Sequence, residues 1–256
     1  MEKEGKYIYC IIASSMDRMF GPMGIGGRKE DVLTISYNDL SMVVSTHPLT
    51  KVVVNRDNLL AHERIIEKVM EEFDSVLPVR FGTVASNADE IRNLLGRRYR
   101  EFKNALRDAD HKIELNVKGV WKNMAEIFKE VLAENKEIKR AKEAIQKDIK
   151  KENIQAKTEV GKMVAKALEE KKEREGEGIV EVLRRTVFDF KLNETASDEM
   201  FMNAAFLVDK GREREFENIL DDLSEKYRER IKFMVVGPLP VFNFVNIVIY
   251  PEDWEK

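Results

Sequence analysis

The chain predicts an α+β fold in two domains, the second a ferredoxin-like sheet elaborated by a long helical insertion. Three observations carry that expectation. Short β-branched runs alternate with amphipathic stripes along all 256 residues. The second half reads strand, elaborated helix, strand, helix, strand, an order that suits a ferredoxin-like sheet. Between its first two strands, residues 137–175 are dense in Lys, Glu and Ala, with apolar residues at three-and-four spacing.

The elements follow in order. Residues 6–14, "KYIYCIIAS", are β-branched and aromatic and predict a strand. "FGPMGIGGRKE" (20–30) holds four glycines and a proline and predicts a loop. "VLTISY" and "SMVVST", separated by "NDL", predict an antiparallel hairpin over 32–46. From Asn55 a stripe of Leu59, His62, Ile66, Val69, Met70 and Phe73 predicts a helix. "SVLPVRFG" is the next strand. "SNADEIRNLLGRRYREFKNAL" is one further helix, with Asn87 as N-cap and Glu90 at capping-box spacing. The first domain, residues 1–110, is thus β-β-β-α-β-α.

The second domain spans 111–256. Ile113, Leu115 and Val117 alternate with Glu114, Asn116 and Lys118, the pattern of a half-buried strand. "KNMAEIFKEVLAEN" predicts a helix with Ile127, Phe128, Val131 and Leu132 inward. Residues 137–175 form one long helix or two abutting ones, and "GEGIVEVLRRTVFDF" adds a shorter one. "MFMNAAFLVD" is a strand and "KGREREFENILDDLSEKYRER" an amphipathic helix. The last strand, in "IKFMVVGPLPVFNFVNIVIY", is interrupted at Gly237-Pro238 and resumes at Phe244.

Composition excludes several classes. Net charge is −3, so no global field calls for nucleic acid or an anionic membrane. No apolar run approaches the roughly 18 residues a spanning helix needs. Cys10 is the single cysteine, which excludes a disulfide within the chain and fits a reducing, cytoplasmic setting. The N-terminus reads as a strand rather than a secretory leader.

Candidate chemistry is sparse. Gly24, Gly26 and Gly27 lead into a hairpin strand, not a helix, so they lack the converging N–H groups of a phosphate cradle. His47, His62 and His111 share no element at ligand spacing, and no metal or cofactor is expected. His62, on the apolar stripe of its helix, reads as a hydrogen-bonded core histidine; pairing with Cys10 as a nucleophile has no local signature. "GRRYREFK" and "LRRTVFDFK" interleave Arg with aromatics, but the aromatics take the inward helix face. No catalytic residue is expected.

Two regions are specific, and they carry three motifs. "LPVRFGT" (Leu77 to Thr83) follows a helix that carries a histidine. "NAAFLV" (Asn203 to Val208) precedes the terminal "GPLPVFNFV". Together they resemble the GvpL/GvpF family of gas-vesicle accessory proteins. The first two match that family's pattern without a gap. The third keeps Gly237, Pro238, Pro240, Phe244 and Val245, while Leu239, Val241, Phe242 and Asn243 stand in place of Trp, Pro, Tyr and Ser. Gly161 in the long helix also fits the pattern.

The resemblance implies two α+β domains, the second a modified ferredoxin-like fold. It implies a non-enzymatic accessory role in gas vesicle assembly, with the small hydrophobic shell protein and other accessory proteins as partners, in the cytoplasm and at the gas vesicle. Self-association is a further expectation. The candidate partner-binding residues are Pro78, Arg80, Phe81 and Gly82 in one segment, and Gly237, Pro238, Pro240 and Phe242 in the other. Arg80 has opposite parity to Val79 and Phe81, so it faces away from the core, toward a structural ion pair or toward a partner. The alternative is a small-molecule-binding or enzymatic ferredoxin-like domain, which needs polar groups converging near His62 and Arg80. A third, an RNA-binding module, needs exposed aromatics on the sheet face.

Overall fold

β1 (Glu4–Ile12) is the strand on which the first sheet is built, and every side chain from Tyr7 to Ile12 is fully buried. Burial without alternation means that both faces of this strand are covered. On one side it pairs with β4 (Leu40–Pro48), and beyond that lie β3 (Asp31–Tyr37) and β2 (Met19–Pro22). On the other it takes β5 (Val76–Pro78) and the two-residue β6 (Val84–Ala85), all antiparallel. The computed structural model describes residues 3–147 and 154–250.

The helices of this part start where their caps say. Asn55 accepts from Asn58 N at 2.8 Å and opens α1 (Arg56–Met70), which buries His62, Ile65, Ile66 and Val69. Asn87 accepts from Asp89 N and Glu90 N and opens α2 (Ala88–Arg97). Glu90 completes the cap one residue early, accepting from Ser86 N at 2.7 Å. α3 (Tyr99–Asp108) follows.

The second sheet has the order β10-β7-β9-β8: β7 (Lys112–Trp121), β8 (Asp189–Leu192), β9 (Met200–Asp209) and β10 (Ile231–Leu239). Its helices are α4 (Met124–Glu134), α5 (Lys136–Lys147), α6 (Ile154–Leu183) and α7 (Glu213–Lys226). Gly176 lets α6 come close to β9, since a Cβ there would lie 3.3 Å from the Phe201 carbonyl oxygen. The Trp121 and Phe201 rings stack at 5.2 Å, and Phe206 meets Phe216 of α7 at 5.2 Å. Within this core Lys171 is buried among three carboxylates, Glu134 at 2.6 Å, Glu130 at 3.0 Å and Glu175 at 3.4 Å. Arg230 also spans Glu130 and Glu175, and Trp121 Nε1 donates to Glu175 at 2.8 Å.

By compactness the chain divides into two units. Residues 3–114, 209–211 and 237–250 make one; 115–147, 154–208 and 212–236 make the other.

Several sequence expectations change. The expected loop at 20–30 begins as β2, because Met19 to Pro22 pair with β3 through a bulge at Gly21, whose φ of 103° suits only glycine. The expected single helix over 87–106 is two, broken at Arg98, whose backbone turns out of the helix at φ −98°, ψ 20°. The first part therefore runs β-β-β-β-α-β-β-α-α rather than β-β-β-α-β-α. In the 137–175 stretch α6 runs on to Leu183 and absorbs the start of the expected shorter helix, while Asp189–Leu192 is the strand β8. The middle of that stretch, 148–153, lies outside the described residues. Phe128, expected inward, is 38% exposed. β10 runs through Gly237-Pro238 without interruption, and Phe242 to Phe244 form a turn rather than a resumed strand.

Candidate functional site

Val79 marks the end of β5, and there the chain leaves the sheet. Val79 N still donates to Tyr9 O at 2.9 Å, but Arg80 N turns to Ile247 O at 3.3 Å. Val79 and Ile247 form one parallel bridge, so the C-terminal segment begins to cover the open side of β5. Gly82, at φ 87°, turns the chain back toward β6.

The C-terminal segment is fixed by two anchors. Glu114 is fully buried on β7, against the expected outward parity, because its carboxylate accepts from Asn243 N at 2.7 Å and Asn243 Nδ2 at 2.6 Å. Arg98 Nη1 donates to Val248 O at 2.9 Å. Val241 and Ile247 are buried, and Phe242 packs against the core beside Phe81.

These turns enclose a cleft of about 220 Å³ within the first unit. Its walls include Leu59, His62, Pro78, Phe81, Phe242 and Ile247, and Arg80 and Glu63 also line it. Four of the eight sequence-chosen residues therefore meet here: Pro78, Arg80, Phe81 and Phe242. Gly82 lines an adjoining cleft of about 620 Å³ that shares Arg80 and Phe81. Gly237, Pro238 and Pro240 line neither: the first two are exposed on β10 and Pro240 is buried. Arg80 is exposed, and among the described residues its guanidinium makes no ion pair.

An aromatic group lies beneath the cleft. Tyr7 OH accepts from Gly82 N at 3.2 Å and is 2.8 Å from His62 Nδ1. The phenol proton is then free to donate to Nδ1, an arrangement that leaves the imidazole proton on Nε2. Burial pushes the His62 pKa down to about 4 and pushes the Tyr7 phenol up. His62 is thus neutral near pH 7, with Nδ1 engaged by the Tyr7 phenol inside the protein. It offers no free lone pair to a substrate. The Phe81 ring stands edge-on to His62 at 5.6 Å and to Tyr7 at 6.2 Å.

The other candidate groups are equally enclosed. Cys10 is fully buried, and burial raises its thiol pKa, the opposite of an activated nucleophile. The glycine loop is pinned by Ile25, buried in the core, whose N–H donates to Tyr9 OH at 2.9 Å. Among the described residues no three His, Cys, Asp or Glu side chains gather as a metal site, and no helix is long and apolar enough to cross a membrane. Sequence reasoning missed Tyr7, Glu114 and Ile247. None left a trace: Glu114 shares its parity with Asn116 and Lys118, so the pattern marks it as one more outward polar residue.

Comparisons with known proteins agree with one another. The family model described as "Gas vesicle synthesis protein GvpL/GvpF" matches residues 5–246. Gas vesicle protein F of a Streptomyces species is 29% identical over 94% of this chain and 99% of that relative. Gas vesicle protein F1 of Halobacterium salinarum is 25% identical over 98% and 97%. The crystal structure of GvpF from an Anabaena species superposes with a TM-score of 0.79 at 21% identity, covering 95% of this chain and 99% of that one. GvpF from Microcystis aeruginosa gives 0.78 at the same identity and coverage. At that identity the two crystal structures establish the mixed α/β fold.

Proposed function

The chain belongs to the GvpL/GvpF family of gas vesicle synthesis proteins, and from that premise we propose that it is a non-enzymatic accessory protein of gas vesicle formation that binds the small hydrophobic shell protein. Other accessory proteins of the system are further partners, and the setting is the cytoplasm and the gas vesicle. The observation that carries this reading is the meeting of two distant motif segments on one cleft: Pro78, Arg80 and Phe81 from one, Phe242 from the other.

The cleft suits an apolar partner segment. Leu59, Phe81, Phe242 and Ile247 offer apolar contact, and burial of such area drives association. Arg80, exposed at the cleft, can donate to a carbonyl or carboxylate of the bound segment. Holding shell subunits there keeps them from premature self-association. Prolines in β5 and β10 limit strand pairing at this protein's own sheet edges.

The fold reading belongs with this proposal. Strand–helix–strand–strand–helix–strand in β7 to β10, with the first and third strands central, supports a ferredoxin-like second domain. The sequence-drawn division into 1–110 and 111–256 is kept as part of the same reading.

The test is co-purification with the shell protein at low and high salt. The expected result is capture that survives high salt, weakened on the order of ten-fold by Arg80→Ala or Phe242→Ala. Replacing Gly237 and Pro238 together weakens it less, since they stand outside the cleft. No capture at any salt, with both proteins folded, overturns the proposal.

A further inference from the structure

Besides the two-residue β6, four strands end the two sheets: β2 and β5 in the first, β10 and β8 in the second. Three of them contain a proline, Pro22, Pro78 and Pro238. A proline removes a donor from an edge and is one of the ways proteins keep edges from pairing. β8 has none. Phe188, just before it, is 60% exposed, and Leu192 at its end is 59% exposed.

The backbone of β8 is turned for pairing. Asn193 N donates to Asn203 O at 2.7 Å, so within β8 the odd-numbered residues direct their backbone groups to β9, and Phe188 N, one residue before the strand, also turns to β9, at Leu207 O 2.8 Å away. Phe190 and Leu192 then direct theirs to the open side. Phe190 N–H is met there by Asp189 Oδ1, at 2.8 Å, rather than by a strand.

The side chains are self-complementary. The run from 188 to 192 is Phe-Asp-Phe-Lys-Leu. Pairing this run antiparallel with a copy of itself, centred on Phe190, sets Asp189 opposite Lys191 twice and Phe188 opposite Leu192 twice. Opposite charges and apolar pairs directly across a ladder both stabilise it. No other register of the run places both charges so.

We propose that β8 is an interface at which two copies of this chain associate, antiparallel and two-fold about Phe190, joining their second sheets edge to edge. In the pair, Phe190 N–H and C=O bond those of the other Phe190, and Asp189 leaves its own neighbour's N–H for the other copy's Lys191. The contact is isologous, so it closes at two copies. Its small size places it among transient interfaces, formed at high local concentration. It uses none of the residues of the cleft and stands apart from the shell-protein reading.

Charge reversal tests it on the full chain. Sedimentation of the unmodified protein, over a series reaching the millimolar range, is expected to show dimer. Asp189→Lys and Lys191→Asp each set like charges opposite one another and weaken the dimer roughly ten-fold or more. The double variant Asp189→Lys/Lys191→Asp regains it. An equimolar mixture of the two single variants forms a heterodimer, because all facing charges are then opposite. Circular dichroism and melting curves check that each variant folds. A protein monomeric throughout the series overturns the proposal. So does a dimer that the single reversals leave unchanged, or single variants that do not pair when mixed.

Discussion

Tyr7 with His62 in the first unit, and Lys171 with Glu130, Glu134, Glu175 and Arg230 in the second, solve one problem in opposite ways. Each puts polar groups out of water. In the first, all partners are neutral: a phenol, an imidazole and backbone groups, with Tyr9 and Ser45 joined at 2.7 Å nearby. In the second, every group but the Trp121 indole is charged, and Lys171 keeps only 5% of its side chain exposed. A neutral network loses little when one bond is broken, since the orphaned group is a dipole. A charged one loses much, because the orphan is an ion. The comparison teaches that the cleft is built for constancy near neutral pH, and that the helical layer of the second unit depends on intact ion pairing.

The sharpest way to break that contrast is to remove the buried cation. Lys171→Met should destabilise the protein by about 3 kcal/mol or more, since three carboxylates lose their shared partner. Urea unfolding measures it. A loss under about 1 kcal/mol would mean that solvent already screens the site, and the contrast would collapse.

Acid separates the two networks by window. The folded pKa of His62, about 4, lies below its ordinary 6.5, so the unfolded chain binds the extra proton first. Stability should therefore fall as pH drops from about 6.5 to about 4, by up to about 3 kcal/mol. Glu130 is held at about 2, below its ordinary 4.5, by Arg230 and Lys171. Its contribution is present above 4.5 and is lost as pH falls toward 2. His62→Gln should flatten the upper window and leave the lower one. Melting temperature against pH reads both, and an unchanged upper slope in the variant would remove His62 from the account.

The smallest expected effect is Tyr7→Phe. It takes the acceptor from Gly82 N and the donor from His62 Nδ1, and should cost about 1–2 kcal/mol. Local hydrogen exchange at Gly82 should rise in the same variant. Protection that stays unchanged would show that the Gly82 turn holds without the phenol.

Much of this was legible in the chain. The hairpin of β3 and β4, the caps at Asn55 and Asn87, and the stripe of α1 follow from local periodicity and capping chemistry. The motif resemblance led to the right family because it rests on residue identity. β2 was not legible: Gly21 and Pro22 signal a loop, and only pairing with β3 makes them a strand. β8 was not legible for a related reason. "VFDF" continues a helical stripe in sequence, and its pairing with β9 lies more than ten residues ahead.

For the candidate site the division is similar. Sequence chose Pro78, Arg80, Phe81 and Phe242, but nothing local says that residues 78–81 and 242 share a cleft. That meeting depends on contacts between distant segments: Ile247 bridging Val79, and Glu114 holding Asn243. The chain by itself determined the family, the short-range elements, and which groups are too sparse to form a metal or nucleophile signature. Tertiary structure alone decided which edges stay open, that Glu114 is buried, and that His62 is neutral and bonded to the Tyr7 phenol. Periodicity and capping are set within one or two helical turns of sequence. Edge exposure and burial of charge are set by whichever distant segment arrives there.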